Sequence, residues 1–421
     1  MPSPHRQAVR KLFGWSPLVI SAIPDYSRAM RSPLIAMLLP LATAWAADPA
    51  IVATNAGGLR IFEAIKTPGN LCLSPFSIQS ALAMTYAGAA GSTREQMASV
   101  LGFPDDAAEL AKGFQSLNRS LGESAKRAGE DTSLNIANRL FGAKGFAFRP
   151  AFLDLCANSF GAPLEPVDFR ANPEAAADLI NAWVEKQTQE RIKNLIPANG
   201  ITRDTTLVLV NALYLRAPWQ EEFSKAPAMG FQMDASQKLD VPAIARTDSF
   251  GYKKSGGFTV VGVPLRGGQF QFVLFLPDAP ASRLTAGLLA ECTNLPRQSV
   301  ALTLPKFRLE PPTLPLGETL QALGMLAAFD IPEKSADFDG IAPRRPDDYL
   351  YISNVFHKTF FALDEKGIEA AAATAVVMMR MTSLPVHEDP IEVRADKPFI
   401  FAVQHVPTGA CLFLGRLSDP Q

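Results

Sequence analysis

The chain has 421 residues, 48% of them hydrophobic, and its 40 Lys and Arg are set against 41 Asp and Glu. That balance offers neither the basic field a nucleic-acid binder needs nor an acidic tail, and the hydrophobic share is that of a globular protein with a large core. Length alone predicts two or three domains.

The first element in chain order is a targeting segment, "MRSPLIAMLLPLATAWAADPA", beginning at Met30. Arg31 supplies the positive end and Pro33 to Leu41 a short apolar run. Ala44-Trp45-Ala46 places small residues at the spacing a signal peptidase prefers. The expectation is a start at Met30, cleavage after Ala46 and a mature chain 47–421 that is secreted or periplasmic. The apolar run is too short to span a membrane. The plainer alternative is an uncleaved amphipathic extension.

Residues 50–66 carry helical spacing through Ile51, Leu59, Ile61, Phe62 and Ile65. The stretch 74–91 opens on Ser-Pro, a helix-start signal, runs through Ala and Leu, and stops at glycine. Helical patterns recur over 93–101, 106–121, 148–159 and 173–194. Strands are predicted at 134–141, 206–215, 258–264, 270–276, 299–310, 350–363, 391–394, 399–406 and 411–417. Pro407-Thr408-Gly409 turns the last two into a hairpin. Helices dominate the first half and strands the second, which favours an α+β layout over βαβ repeats. With no internal repeat and no long polar linker, one large domain fits better than two.

Catalytic signatures are missing: no GxSxG elbow, no P-loop, no HExxH, no GxGxxG. The four histidines, His5, His357, His387 and His405, are not paired at ligand spacing. Cys72, Cys156, Cys292 and Cys411 lie far apart, with no CxxC. Cys72 and Cys411 sit in apolar, strand-like runs and read as small buried hydrophobes. No metal and no cofactor is called for. The chain reads as something acted upon, not as an enzyme.

One stretch resists a simple assignment: "DEKGIEAAAATAVVMMRMTSLP", from Asp364 to Pro385. Ala370, Ala371, Ala372 and Ala373 suit a helix, while Thr374, Val376 and Val377 suit a strand. Strand side chains alternate between faces. From Ile368, one face carries Ile368, Ala370, Ala372, Thr374, Val376 and Met378, all uncharged. The other carries a single charge, Glu369, near one end. Gly367 offers a flexible pivot. The segment is composed so that it can sit as a loop and become a buried strand. About a dozen ladder hydrogen bonds at roughly 1 kcal/mol each would reward that change with on the order of 10 kcal/mol. An alanine-rich exposed helix or linker is the plainer reading of these residues alone.

Seven segments, in order, resemble the serpin family of protease inhibitors. They are "NLCLSPFSIQSALAMTYAGAAGSTREQM" (70–97), "NLIPANGITRDTTLVLVNALYLRAPWQEEF" (194–223), "LPKFRLE" (304–310), "LQALGMLAAFD" (320–330), "ADFDGIA" (336–342), "LYISNVFHKTFFALDEKGIEAAAATAV" (350–376), and "ADKPFIFAVQH" with "LFLGRLSDP" (395–420). The resemblance implies an α+β single domain with three β-sheets, about eight or nine helices and an exposed reactive-centre loop at about 365–390. It implies suicide-substrate inhibition. A serine protease, or by extension a cysteine protease, attacks the loop and is trapped as a covalent acyl complex when the loop enters the largest sheet. The partner is that protease; neither a membrane span nor nucleic acid is involved, and the inhibitor is expected to be a monomer.

The resemblance also assigns residues. Glu365, Gly367, Ile368, Glu369 and Ala370 to Ala373 form the hinge. Ile368 departs from the threonine, serine or other small residue usual there, which implies slower insertion. Counting Gly367 as the first residue, the fifteenth is Met381, which places the cut between Met381 and Thr382 and points to elastase-, chymotrypsin- or subtilisin-like targets. A shift of one residue would put Arg380 before the bond, with Met381 after it, and recruit trypsin-like proteases. Ser74, Ser77, Asn211 and His357 resemble the polar shutter beneath the main sheet. Trp219 and Lys306, with Glu365, resemble the breach where the loop first enters. The plainer readings are a helix cap for Ser74, a surface Ser77, a strand-end Asn211, a core His357 and a surface Lys306–Glu365 ion pair. A non-inhibitory carrier or chaperone-like serpin is the alternative function. No basic cluster lies across 105–130, so no heparin-like cofactor is expected.

Overall fold

The computed structural model describes residues 48–234, 236–346, 348–369 and 389–421. The expectations for Met30 and Ala46, for the hinge alanines Ala370 to Ala373, and for the bond among Arg380, Met381 and Thr382 lie outside the described residues.

The chain is built as one α+β unit spanning Ala47–Gln421. Its described residues contain nine α-helical runs. The first two, Pro49–Val52 and Gly58–Ala64, join through the π-helical turn Ala53–Gly57 into one continuous helix. The predicted helix at 74–91 is Pro75–Tyr86, started as its sequence implies: Pro75 opens the first turn and the Ser74 hydroxyl accepts from the Ser77 N–H at 3.1 Å. This helix is buried on nearly every side and forms the floor of the core. Ala107–Arg127 begins at Asp106, whose carboxylate accepts from the N–H groups of Ala108 and Glu109.

The strands form three sheets of nine, six and two strands. The nine-stranded sheet runs in the order Leu71–Leu73, Cys411–Leu417, Phe399–His405, Phe270–Pro277, Phe258–Pro264, Lys238–Ser255, Arg297–Pro305, Ile391–Arg394, with Ser224–Gln232 also on Lys238–Ser255. The predicted hairpin at 407–409 is present: the His405 N–H donates to Ala410 O at 2.9 Å, and Gly409 takes φ 75°. The six-stranded sheet runs Phe307–Leu309, Phe361–Leu363, Gly367–Ile368, Leu207–Pro218, Ser133–Ala143, Leu164–Val167. One face of it packs on the main core. The other is covered by the helix Pro173–Gln187 and the chain after it, through Phe141, Ile180, Val184, Ile192, Val210 and Phe360.

Several elements differ from expectation. The strand expected over 350–363 is reduced to Phe356–His357 and Phe361–Leu363. Among the described residues, Leu207–Arg216 has a ladder partner only along Ser133–Gly142. Strand propensity over 350–360 therefore finds few carbonyls and N–H groups to pair with. The strand expected at 299–310 breaks at Lys306, whose N–H turns to Pro242 O. Lys238–Ser255 and Ser224–Gln232 carry too many polar residues to be recognised from pattern, and pairing across the sheet makes them strands.

Candidate functional site

The site forms where the hinge meets the six-stranded sheet. Asp364 to Gly367 make a tight turn. The Asp364 carboxylate accepts from the N–H groups of Lys366 at 2.8 Å and Gly367 at 3.3 Å, and the Asp364 N–H donates to Gly367 O at 3.1 Å. The turn delivers Gly367–Ile368 as a two-residue strand into the six-stranded sheet, and not into the nine-stranded one, the largest among the described residues, where entry was expected. Ile368 pairs with Leu363 on one side and Ala217 on the other, and Gly367 pairs with Pro218, all antiparallel. The front of the hinge is thus already a strand between Phe361–Leu363 and Leu207–Pro218. Gly367 adopts φ 149°, and a Cβ there would lie 2.4 Å from Ala217 O. Only glycine passes this point without displacing backbone. Ile368 is 2% exposed and belongs to the main core. The isoleucine that departs from the family pattern fills its slot.

The residues expected at the breach, Trp219, Lys306 and Glu365, meet at this turn. Trp219 is fully buried; its indole N–H donates to Asp364 O at 2.8 Å and its backbone N–H to Lys366 O at 2.9 Å. Its ring stands against Phe223 and edge-on to Phe272. The Lys306 ammonium donates to Glu365 Oε2 at 2.9 Å. Burial opposes the Glu365 charge, but the Lys306 hydrogen bond, a backbone N–H and the nearby Lys225 outweigh it, so the carboxyl titrates below its usual range. Pro218 ends its strand and pairs directly with Gly367.

The shutter residues are brought together only in part. The Ser74 backbone N–H donates to His357 Nε2 at 3.0 Å, which makes Nδ1 the protonated nitrogen of a neutral ring. Full burial pushes the His357 imidazole down to about 4. Ser77 is tied to Ser74 through the helix cap. Asn211 turns elsewhere, its amide donating to Asn138 Oδ1, while Asn138 Nδ2 donates to Phe160 O at 2.7 Å. Ser77 Oγ and Asn211 Oδ1 are buried without a hydrogen-bond partner among the described residues. Such unpaired groups are rare in protein interiors.

Sequence reasoning passed over four participants. Asp364 was legible, since an Asx residue shortly before a glycine is turn chemistry. Asn138 lies directly opposite Asn211 across paired strands, a register no single segment reveals. Tyr214 and Arg191, which meet Glu369, carry no local signal; Arg191 lies 178 residues away in sequence.

All four cysteines are free and buried, and burial raises the thiols of Cys72, Cys156 and Cys292 to about 12. Among the described residues no helix is long and apolar enough to cross a membrane.

Comparison with known proteins agrees with this geometry. The family model described as "Serpin (serine protease inhibitor)" matches residues 53–420. The leukocyte elastase inhibitor of Bos taurus is 37% identical over 372 residues, covering 84% of this chain and 93% of the relative. Antithrombin-III of Mus musculus is 35% identical over 369 residues, covering 83% and 76%. Among solved structures, cleaved Serpin 42Da superposes with a TM-score of 0.75 at 26% identity, covering 89% of this chain and 100% of that one. Serpin48 of the insect Tenebrio molitor superposes with a TM-score of 0.73 at 28% identity, covering 88% and 98%. The chain belongs to the serpin family.

Proposed function

We propose that this chain is a suicide-substrate inhibitor of serine proteases, and not an enzyme. The observation that carries the reading is the hinge seated as a strand between Phe361–Leu363 and Leu207–Pro218. The protease serine Oγ attacks the Met381 carbonyl. The bond to the Thr382 nitrogen breaks, and that amine leaves with a proton. The acyl ester that remains ties the protease to the loop. From Ala370 onward the loop then zips into the sheet behind the seated hinge, dragging the protease with it. Displacement of catalytic groups by about 1 Å can cost about 100-fold in rate, so deacylation stalls. Met381 before the bond suits apolar primary pockets of the elastase, chymotrypsin or subtilisin kind, and cysteine proteases remain a secondary target class. The alanines favour entry because they add little volume, and Ile368 is already buried between two strands. The protein acts as a monomer outside the cytoplasm, after removal of the segment ending at Ala46.

The test is a denaturing gel of the purified protein with elastase, chymotrypsin, subtilisin and trypsin, with mass spectrometry of the released fragment. A covalent complex and a fragment beginning at Thr382 support the reading. A fragment beginning at Met381 moves the bond to Arg380 and the targets to trypsin-like proteases. Cleavage without complex across the panel overturns inhibition in favour of a carrier or chaperone-like role.

A further inference from the structure

Beyond the hinge strand lies a charge cluster that the inhibitory reading does not use. Glu369 leaves the sheet with φ 48°, a conformation few non-glycine residues adopt. Its backbone N–H still donates to Ala362 O at 3.0 Å. Its side chain is 9% exposed, far more covered than the acidic partners in most of the surface ion pairs of this chain, and it pairs with the Arg191 guanidinium. The Tyr214 hydroxyl adds a hydrogen bond. Arg191 belongs to the chain that follows the helix Pro173–Gln187 over the sheet. There its N–H donates to Thr188 O at 3.0 Å, and the Ile192 N–H donates to the Thr188 hydroxyl at 3.1 Å. The Arg191 guanidinium lies 5.4 Å from the centre of the Phe360 ring, and that of Arg308 lies 4.8 Å from the same centre. Arg191 is therefore braced by backbone on one side and by an aromatic face on the other.

We propose that Arg191 is a positioning residue that keeps the hinge seated in the six-stranded sheet by neutralising the largely covered Glu369 carboxylate. A buried carboxylate with no cation is strongly disfavoured, and its cheapest relief is to carry the hinge out into water. With Arg191 in place the carboxylate stays, and Gly367–Ile368 stay with it. Arg191 thereby sets how readily the hinge retracts, a property distinct from which protease is caught. It does not depend on whether the chain inhibits one.

The pH behaviour follows from the groups around Glu369. Arg191 faces it from the covering segment, Tyr214 from Leu207–Pro218 and Arg308 from Phe307–Leu309, while Arg216 acts on Tyr214 and Glu310 acts on Arg191. Burial raises the Glu369 carboxyl above its usual range, and the Arg191 contact offsets only part of that. Seating is therefore favoured as the pH falls through the Glu369 titration and weakened as it rises. The dependence on Arg191 is greatest where Glu369 is charged.

Hydrogen exchange of the purified protein reads this directly, through the three amides that bond across the hinge: Trp219 to Lys366 O, Phe223 to Glu365 O and Glu369 to Ala362 O. At pH 7, Arg191→Ala is expected to lower their protection by about tenfold or more while leaving Phe258–Pro264 unchanged. Arg191→Lys should retain most of the protection, and the Arg191→Ala loss should shrink at pH 5. The double variant Arg191→Ala/Glu369→Gln should regain it, because no charge is then left to bury. Unchanged protection in Arg191→Ala overturns the proposal, as does a loss that the double variant fails to restore. If Arg191→Ala does not fold, Glu369→Gln alone decides: its hinge protection should match or exceed the parent at pH 7, and a loss refutes the assignment. Failure of the parent to trap any protease, with these amides still responding to Arg191→Ala and to the double variant as expected, would count against the inhibitory reading and leave this one standing.

Discussion

Substituting alanine for Gly367 tests the seated hinge most sharply. The added methyl would lie 2.4 Å from Ala217 O, 2.6 Å from Pro218 Cα and 2.9 Å from Trp219 N. All three are backbone atoms, so no rotamer change relieves the contact, and φ 149° is itself unfavourable for a side chain. The hinge must back out of its slot. Backing out returns Ile368 to water from 2% exposure, which costs about 1.5–3 kcal/mol. It also breaks the bonds from Trp219 N–H to Lys366 O and from Glu369 N–H to Ala362 O, roughly 1 kcal/mol each. These contacts total about 4 kcal/mol, and a partial retreat forfeits less. Urea unfolding followed by tryptophan fluorescence should show a stability loss of about 2–4 kcal/mol, with the Trp219 amide losing its protection. Loop cleavage, which should raise the melting temperature of the parent, should raise that of Gly367→Ala much less. An unchanged urea midpoint together with an unchanged Trp219 amide would refute the argument, since it would mean that the sheet accommodates a Cβ where backbone already stands.

Other consequences can be measured with the same protein. His357 titrates near 4 when buried, against 6.5 for an ordinary histidine, so between those values the unfolded chain binds a proton that the folded one refuses. Stability should be full above pH 6.5 and fall by about 3 kcal/mol as the pH drops toward 4. His357→Gln should flatten that share of urea-midpoint titrations, while His405, pushed down to about 4 by its own burial, retains its slope. A double-mutant cycle of Lys306→Met and Glu365→Gln should return a coupling of about 0.5–1 kcal/mol, because the Lys306 side chain is 41% exposed and water screens the pair; a coupling near zero or above about 2 kcal/mol contradicts that placement. The four buried thiols should resist a water-soluble thiol reagent at pH 8 until denaturant is added, and rapid labelling of any one would show its burial to be wrong.

Much of this architecture was legible along the chain. Ser-Pro at 74–75, the glycine after a helical run, and the Pro-Thr-Gly turn between two apolar runs are local signals, and the structure realises them where propensity and capping place them. Of the expected hinge, Gly367–Ile368 is seen as a strand, and the alanines that follow lie outside the described residues. What stayed hidden depends on partners distant in sequence. Lys238–Ser255 is a strand only because Ser224–Gln232, Phe258–Pro264 and Arg297–Pro305 line both its edges. The stretch 350–360 looks like a strand, yet among the described residues only Phe356–His357 pairs within it, with Leu314–Pro315.

By itself, then, the sequence determined the elements with short-range causes: caps, turns, apolar periodicity, and a loop whose alternation leaves a single charge at Glu369. The tertiary structure alone decided what happens to that charge. Ile368 settles against Ala217 and Leu363, which turns Glu369 toward the covered face of the sheet, where Arg191 and Tyr214 arrive from elements far away in sequence. The reason is physical: propensity is set within a few residues, but the cost of burying a carboxylate is set by whatever cation the fold brings beside it.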